Sequence, residues 1–238
     1  MARLLICLVL AATACVAASA LAADRPRQPL DTPLLADLDG DAANETVRVR
    51  ETACFGAGGT SEPPCSRAAD VLRTLVVEVM DSCAVGPGGG ERVLTLSREM
   101  EYVSFARILD ADRDGEAREL AFEVRAGASA RAVQAKIVSF RPAAGGCVAV
   151  RRTLFSYPRG DSIGRRPRGS SFSSGSLQIK DYARSRPGLE LRTIESYARG
   201  GDPGCCPTWE RTSYWLFDRA SDRYRTYRTK LVRLRRSS

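Results

Sequence analysis

The chain has 238 residues, 44% of them apolar, a formal net charge of +8, eight cysteines and no histidine. The lack of histidine excludes Ser-His-Asp and Cys-His catalysis, histidine metal sites and the usual general base near neutrality. The length and apolar content allow a proper core within one all-β domain.

The chain begins with Arg3, an apolar run from Leu4 to Ala14, and small residues ending in Ala20-Leu21-Ala22. That order of charge, apolar run and small residues is the pattern of a secretory signal peptide over residues 1 to 22. The run is shorter than the roughly 20 residues that cross a bilayer, and no later stretch approaches that length. Without the leader the charge is +7, one arginine fewer than the whole chain. A second reading starts at Cys15, which follows Ala12-Thr13-Ala14 and resembles a bacterial lipobox with Ala12 where such boxes usually carry leucine. On that reading the protein is lipid-anchored at Cys15. Residues 23–29 read as a flexible linker, and residues 30–236 as a single β-repeat domain.

The first copy of a repeat opens at Asp37-Leu38-Asp39-Gly40-Asp41 and closes at Glu45. A strand follows with Val47 and Val49 on one face. Cys54 and Cys65 flank a Gly/Pro-rich loop and are the best local disulfide pair, worth roughly 3 kcal/mol in closure entropy. Strands over 71–80 and 92–96 come next, then one over 102–109. The second copy runs from Asp110-Ala111-Asp112-Arg113-Asp114-Gly115 to Glu119, with Glu116 as a spare acid. It continues with strands over 120–125, 131–140 and 148–155. An Arg- and Ser-rich connector over 158–175 reads as mobile, before a strand over 177–180. The third copy keeps only Asp181 and Glu190, with Arg184 and Arg186 between them, and is expected to bind no ion. Its strands fall at 189–194, 212–217 and 224–234. The copies occupy about 30–100, 101–157 and 173–236, a spacing of roughly 70 residues. The expected fold is all-β and disulfide-stabilised. It comprises three repeated four-stranded antiparallel meanders, propeller-blade-like or arranged as an irregular β-sandwich.

Cys7 and Cys15 lie in the leader, which leaves Cys54, Cys65, Cys83, Cys147, Cys205 and Cys206. An even number in an exported chain favours disulfides, and six cysteines allow 15 pairings. The adjacent Cys205 and Cys206 are expected to bond to separate partners. Neither CxxC spacing nor histidine is present, so zinc and CxxC redox chemistry are set aside.

Asp-x-Asp-x-Asp places three carboxylates on one side of a tight turn. Hard cations such as calcium take six to eight oxygen ligands of this kind, and glycine at the fourth or sixth position allows the turn. The candidate ligands are Asp37, Asp39, Asp41 and Glu45 in the first loop, and Asp110, Asp112, Asp114 and Glu119 in the second. Structural calcium is the expected cofactor. The second loop keeps Gly115 and is the stronger by sequence, although its register is open, because 112–116 also overlays the first loop. The alternative is an Asx-type turn with no ion, since Asp and Gly favour turns anyway.

These two loops, each leading into an alternating strand, resemble the FG-GAP/VCBS-type repeats of secreted bacterial proteins. The resemblance covers about two-thirds of the mature chain and is most specific at Asp37 to Val49 and Asp110 to Val124. It implies propeller-like blades with calcium held in the loop. The segment Gly201 to Thr208 also resembles a Cys-Cys-Pro-Ser/Thr element of exported actinobacterial proteins. Propellers usually close with 4 to 8 blades. Three copies therefore imply an incomplete, sandwich-like relative or closure by oligomerisation.

The last strand carries Arg225, Arg228, Lys230, Arg233, Arg235 and Arg236, interleaved with Tyr224, Tyr227 and Leu231. This is either a surface for an anionic polymer or a charged edge strand that resists aggregation; the second reading is favoured. The lysines number only three, so the arginine excess also fits the codon bias of a GC-rich genome. No phosphate-cradling loop is present. A carboxylate such as Glu190 or Asp202 could serve glycoside hydrolysis, yet nothing singles either out. The sequence points to an exported, noncatalytic β-repeat protein, a binding or envelope-associated module. Its partner is expected to be a protein or an anionic envelope polymer, with nucleic acid least favoured because of export. The alternatives are a carboxylate-dependent, carbohydrate-active envelope enzyme and a lipoprotein accessory subunit.

Overall fold

The structure is a computed structural model that describes residues 33–56, 59–61, 72–83, 90–126, 132–143, 145–157, 170–180, 188–199 and 207–234. The leader with Cys15, the linker 23–29, Cys65, Asp181, Asp202, Cys205 and Cys206 lie outside the described residues.

The described residues form three antiparallel sheets and no helix. The first contains β1 (Leu34–Ala36), β2 (Glu45–Gly56), β4 (Leu72–Cys83) and β5 (Gly90–Thr95) in that order, with β3 (Gly59–Ser61) paired to β2. The second is β6 (Tyr102–Leu109), β7 (Glu119–Ala126), β8 (Ala132–Pro142) and β9 (Val148–Tyr157). The third is β10 (Ser170–Lys180), β11 (Glu190–Arg199), β12 (Trp209–Asp218) and β13 (Arg223–Arg233). Each sheet is a meander in chain order, as the repeat implied, and none closes into a barrel. The acidic segments connect the first strand of each sheet to the second.

Strand alternation explains the packing. On β7, Leu120, Phe122 and Val124 join Leu38, Val47, Val77 and Val79 of the first sheet in one core. Ala121, with Val133, Ala135 and Ile137 of β8, joins Leu191, Trp215, Phe217 and Tyr224 of the third sheet in the other core. The second sheet is therefore the middle layer, and every residue of β7 from Glu119 to Val124 is buried. Because this strand is buried on both faces, Glu119 and Glu123 must be satisfied inside. Glu123 does this by accepting the Leu177 N–H at 2.5 Å and the Ser104 hydroxyl at 2.6 Å, and by pairing with Arg125.

A second polar link ties the middle sheet to the third. The Tyr157 hydroxyl donates to Glu195 Oε1 at 2.6 Å, and Arg211 Nε donates to Glu195 Oε2. All three side chains are buried. Cys83, at the end of β4, bonds to Cys147, just before β9, with Cα atoms 5.0 Å apart, which staples the first sheet to the second. Cys54 is also disulfide-bonded.

The sequence reading missed β1 and β3. Strand β10 begins at Ser170, inside the connector expected over 158–175. Its first residues are Ser-rich and carry no apolar alternation, so pairing with β11 defines the strand rather than its own propensity.

Candidate metal centre

The first loop is a set of nested turns built by its own carboxylates. Asp37 accepts the N–H of Gly40 at 2.6 Å with Oδ1 and that of Ala42 at 3.1 Å with Oδ2. Asp39 Oδ1 accepts from Asp41 N at 3.2 Å, and Asp41 Oδ1 from Ala43 N at 2.8 Å. At the start of β2, Glu45 Oε2 reaches back to the N–H of Leu38 at 2.5 Å.

The second loop repeats the pattern with one shift: Asp110 Oδ1 accepts from the N–H four residues on, where Asp37 Oδ1 accepts from the N–H three residues on. Asp110 accepts from Asp114 N and Gly115 N, both at 3.1 Å. Asp112 Oδ1 accepts from Asp114 N at 3.3 Å, and Asp114 Oδ1 from Glu116 N at 2.9 Å. Glu119 Oε2 accepts from Ala111 N at 2.9 Å. This settles the register that the sequence left open: Asp110 matches Asp37, and Glu119 matches Glu45 after one inserted residue. The left-handed residues also coincide. Gly40 (φ 86°) matches Arg113 (φ 56°), and Ala42 (φ 69°) matches Gly115 (φ 99°). Each loop thus has glycine at one of its two left-handed positions and an ordinary residue, in an uncommon conformation, at the other.

Carboxylate oxygens of Asp37, Asp39 and Asp41 lie within 4.8 Å of one another, and so do those of Asp110, Asp112 and Asp114. Each trio could hold a metal ion. Glu116, the spare acid, instead points to solvent and pairs with Arg118 at 2.8 Å. Arg118 in turn lies over Gly40 of the first loop, where a Cβ would stand 2.4 Å from its guanidinium. The third loop's surviving acid, Glu190, is buried at the first position of β11, where Glu45 and Glu119 sit in their sheets.

The two loops differ in what they leave unmet. In the first, Asp39 Oδ2 and Glu45 Oε1 are buried and have no hydrogen-bond partner. Burial pushes the Glu45 carboxyl up to about 7, and repulsion from Asp39, Asp81 and Asp41 adds to it, against the Leu38 N–H bond. Burial and the Asp41 charge also raise Asp39. In the second, burial pushes Glu119 up to about 7, with Asp112 and Asp114 adding to it, while the Ala111 N–H and the Ser139 hydroxyl favour its charged form. Asp112 is raised, first by burial and then by Asp114. Arg152, paired with Asp222, feels the charges of Asp112 and Glu119, and Arg118 lies against the first loop at Gly40. Sequence favoured the second loop for Gly115, but among the described residues the buried carboxylate oxygens left without a partner are in the first.

Asp81 escaped the sequence reading because no spacing marks it. It is buried near the end of β4, accepts the Val148 N–H at 2.5 Å and adds to the negative field on Glu45 and Asp39. It also neighbours Cys83 and Cys147. Those sulfurs are tied in a disulfide and offer no thiolate to a metal.

Fold and loops together define an all-β protein of three stacked meanders with two matched acidic loops. Compared with known protein families, curated proteins and solved structures, the chain matches none of them.

Proposed function

We propose that this is an exported, noncatalytic β-repeat protein of the FG-GAP/VCBS type, a binding or envelope-associated module in which calcium holds the acidic loops. The observation that carries the ion is the buried, unpartnered pair Asp39 Oδ2 and Glu45 Oε1 beside three further carboxylates. Buried charge without a partner is costly, and a divalent cation offsets it. Asp37, Asp39, Asp41 and Glu45 would hold the ion in the first loop, and Asp110, Asp112, Asp114 and Glu119 in the second. A set of carboxylate oxygens alone suits calcium, which takes six to eight oxygens in flexible geometry, better than magnesium, which demands near-ideal octahedral geometry. The ion would serve structure, fixing the links between first and second strands. The leader and the buried Cys83–Cys147 bond support export. Glu190 repeats the position of Glu45 and Glu119 at the start of a second strand, which fits a structural role for it.

Equilibrium dialysis against about 1 mM calcium, in the range of extracellular sites, tests the ion. Two calcium ions per chain are expected, with one lost in Asp39→Asn. No bound calcium would contradict the reading.

A further inference from the structure

The glutamate that closes each acidic loop stands in a row running across its sheet, and the rows differ at one position. In the middle sheet Glu119 of β7 pairs with Ser139 of β8, and Ser139 with Arg152 of β9. In the first sheet Thr46 pairs with Met80, and the antiparallel register carried one residue on sets Asp81 of β4 opposite Glu45. Asp81 pairs in turn with Arg92 of β5. In the third sheet the same extension sets Leu216 opposite Glu190, and Leu216 pairs with Arg225. The three rows read Glu-Asp-Arg, Glu-Ser-Arg and Glu-Leu-Arg. The arginine position is common to all three, so the middle position is what sets the first loop apart.

Directly opposite residues of an antiparallel pair share a face. Val47 and Val79, paired two residues along, lie in the core against the middle sheet, so Glu45 and Asp81 face that sheet too. Both are buried, Glu45 at 0% exposure and Asp81 at 4%. Like charges placed directly opposite destabilise a sheet. Neither acid forms an ion pair among the described residues. Glu45 Oε1 and its neighbour Asp39 Oδ2 are buried without any partner, and both side chains feel the Asp81 charge. Asp81 holds the Val148 N–H through Oδ2. In the second row the Ser139 hydroxyl serves Glu119 instead of opposing it.

We propose that Asp81 is a further ligand of the first loop's calcium ion, joining Asp39 and Glu45 from the neighbouring strand, and that it makes this site the tighter of the two. The proposal rests on the reading that calcium holds the acidic loops. A further carboxylate raises the ligand charge count, which is one of the features that tune calcium affinity. Asp81 also holds Val148 at the start of β9, and the Cys83–Cys147 bond lies beside it. The first ion therefore sits at the seam between the first and middle sheets. The second loop has only a hydroxyl at the matching position.

The test is calcium titration calorimetry on the oxidised protein in two backgrounds: Asp112→Asn, which keeps the first loop intact, and Asp39→Asn, which keeps the second. The first loop should bind at least about tenfold more tightly than the second. Asp81→Asn keeps an oxygen for Val148 and should weaken the first loop by at least about tenfold, with the second unchanged. Ser139→Asp should tighten the second loop by a similar factor. Urea unfolding separates a ligand from a merely structural residue. In chelator Asp81→Asn should unfold at the wild-type midpoint or above it, because one of two facing charges is gone; in calcium it should unfold below it. A first loop whose affinity survives Asp81→Asn overturns the proposal and leaves the calcium reading standing, as does an equal loss of stability in chelator and in calcium. A second loop made no tighter by Ser139→Asp overturns the ranking of the sites by this position. If neither loop of the wild type binds calcium, the calcium reading falls and the proposal falls with it.

Discussion

At the scale of single residues, Glu45 carries the sharpest consequence. Its Oε2 is satisfied by the Leu38 N–H while its Oε1 is buried without a partner. Glu45→Gln keeps an acceptor for Leu38 and removes the charge. With chelator at about pH 8 it should therefore stabilise the protein by roughly 1 to 2 kcal/mol, and in calcium it should destabilise it; chemical denaturation in both conditions reads the crossover. Glu45 and Glu119 are both pushed from 4.5 to about 7 by folding. The folded, ion-free protein therefore holds these protons more tightly than the unfolded chain. That stabilisation is full below about pH 4.5 and is lost as pH rises through about 7. The unfolding midpoint in chelator should fall across this window, and calcium should flatten the fall. A flat profile in chelator would contradict the burial of these groups. The ligand types were legible in the sequence because Asp-x-Asp-x-Asp fixes them by spacing. Asp81 was not, because it reaches the site by packing of β4 and no local pattern announces it.

At the scale of elements, the chain's loops lean on one another. Leu189 N donates to Ala111 O at 2.9 Å, and the Tyr224 hydroxyl donates to the same oxygen at 2.8 Å. Gly188 and Leu189, which lead into β11, are thus docked on the second loop. Gly188 is what lets this segment dock: a Cβ there would stand 2.5 Å from Phe217 Cβ and 2.8 Å from Ala111 O. Neither neighbour is a flexible side-chain tip, so Gly188→Ala should cost about 1 to 3 kcal/mol, measured by thermal or urea unfolding. The buried Glu195–Arg211–Tyr157 link is equally local. Arg211→Met would strand Glu195 and should cost roughly 3 to 5 kcal/mol, with much of it recovered by adding Glu195→Leu. Strand positions were readable from alternation in β7, β8 and β12. Strand β10 was readable only over 177–180, because its Ser-rich first part takes its conformation from β11.

At the scale of the whole molecule, the middle sheet organises everything: one core lies on each of its faces, and the Cys83–Cys147 bond fastens the first sheet to it. That bond spans 64 residues of sequence. Cys83→Ser/Cys147→Ser should lower stability by about 4 kcal/mol, a loss visible as a lower denaturant midpoint. Three four-stranded meanders were legible from the repeat, but the sequence opens each copy at its acidic segment, whereas the structure makes the strand before it, β1, β6 or β10, the first of the sheet. The stacking order was not, because periodicity says which residues are buried and not against which sheet. The central proposal is that the matched acidic loops are ion sites within these meanders, each fixing the link between a first and a second strand. Thermal unfolding of the oxidised protein, with calcium and with excess chelator, tests it most directly when wild type is compared with Asp37→Asn/Asp110→Asn. A ligand bound only to the folded state raises the midpoint with its concentration. The account predicts a calcium-dependent rise in wild type that the double variant lacks; equal midpoints of wild type in calcium and in chelator would contradict it.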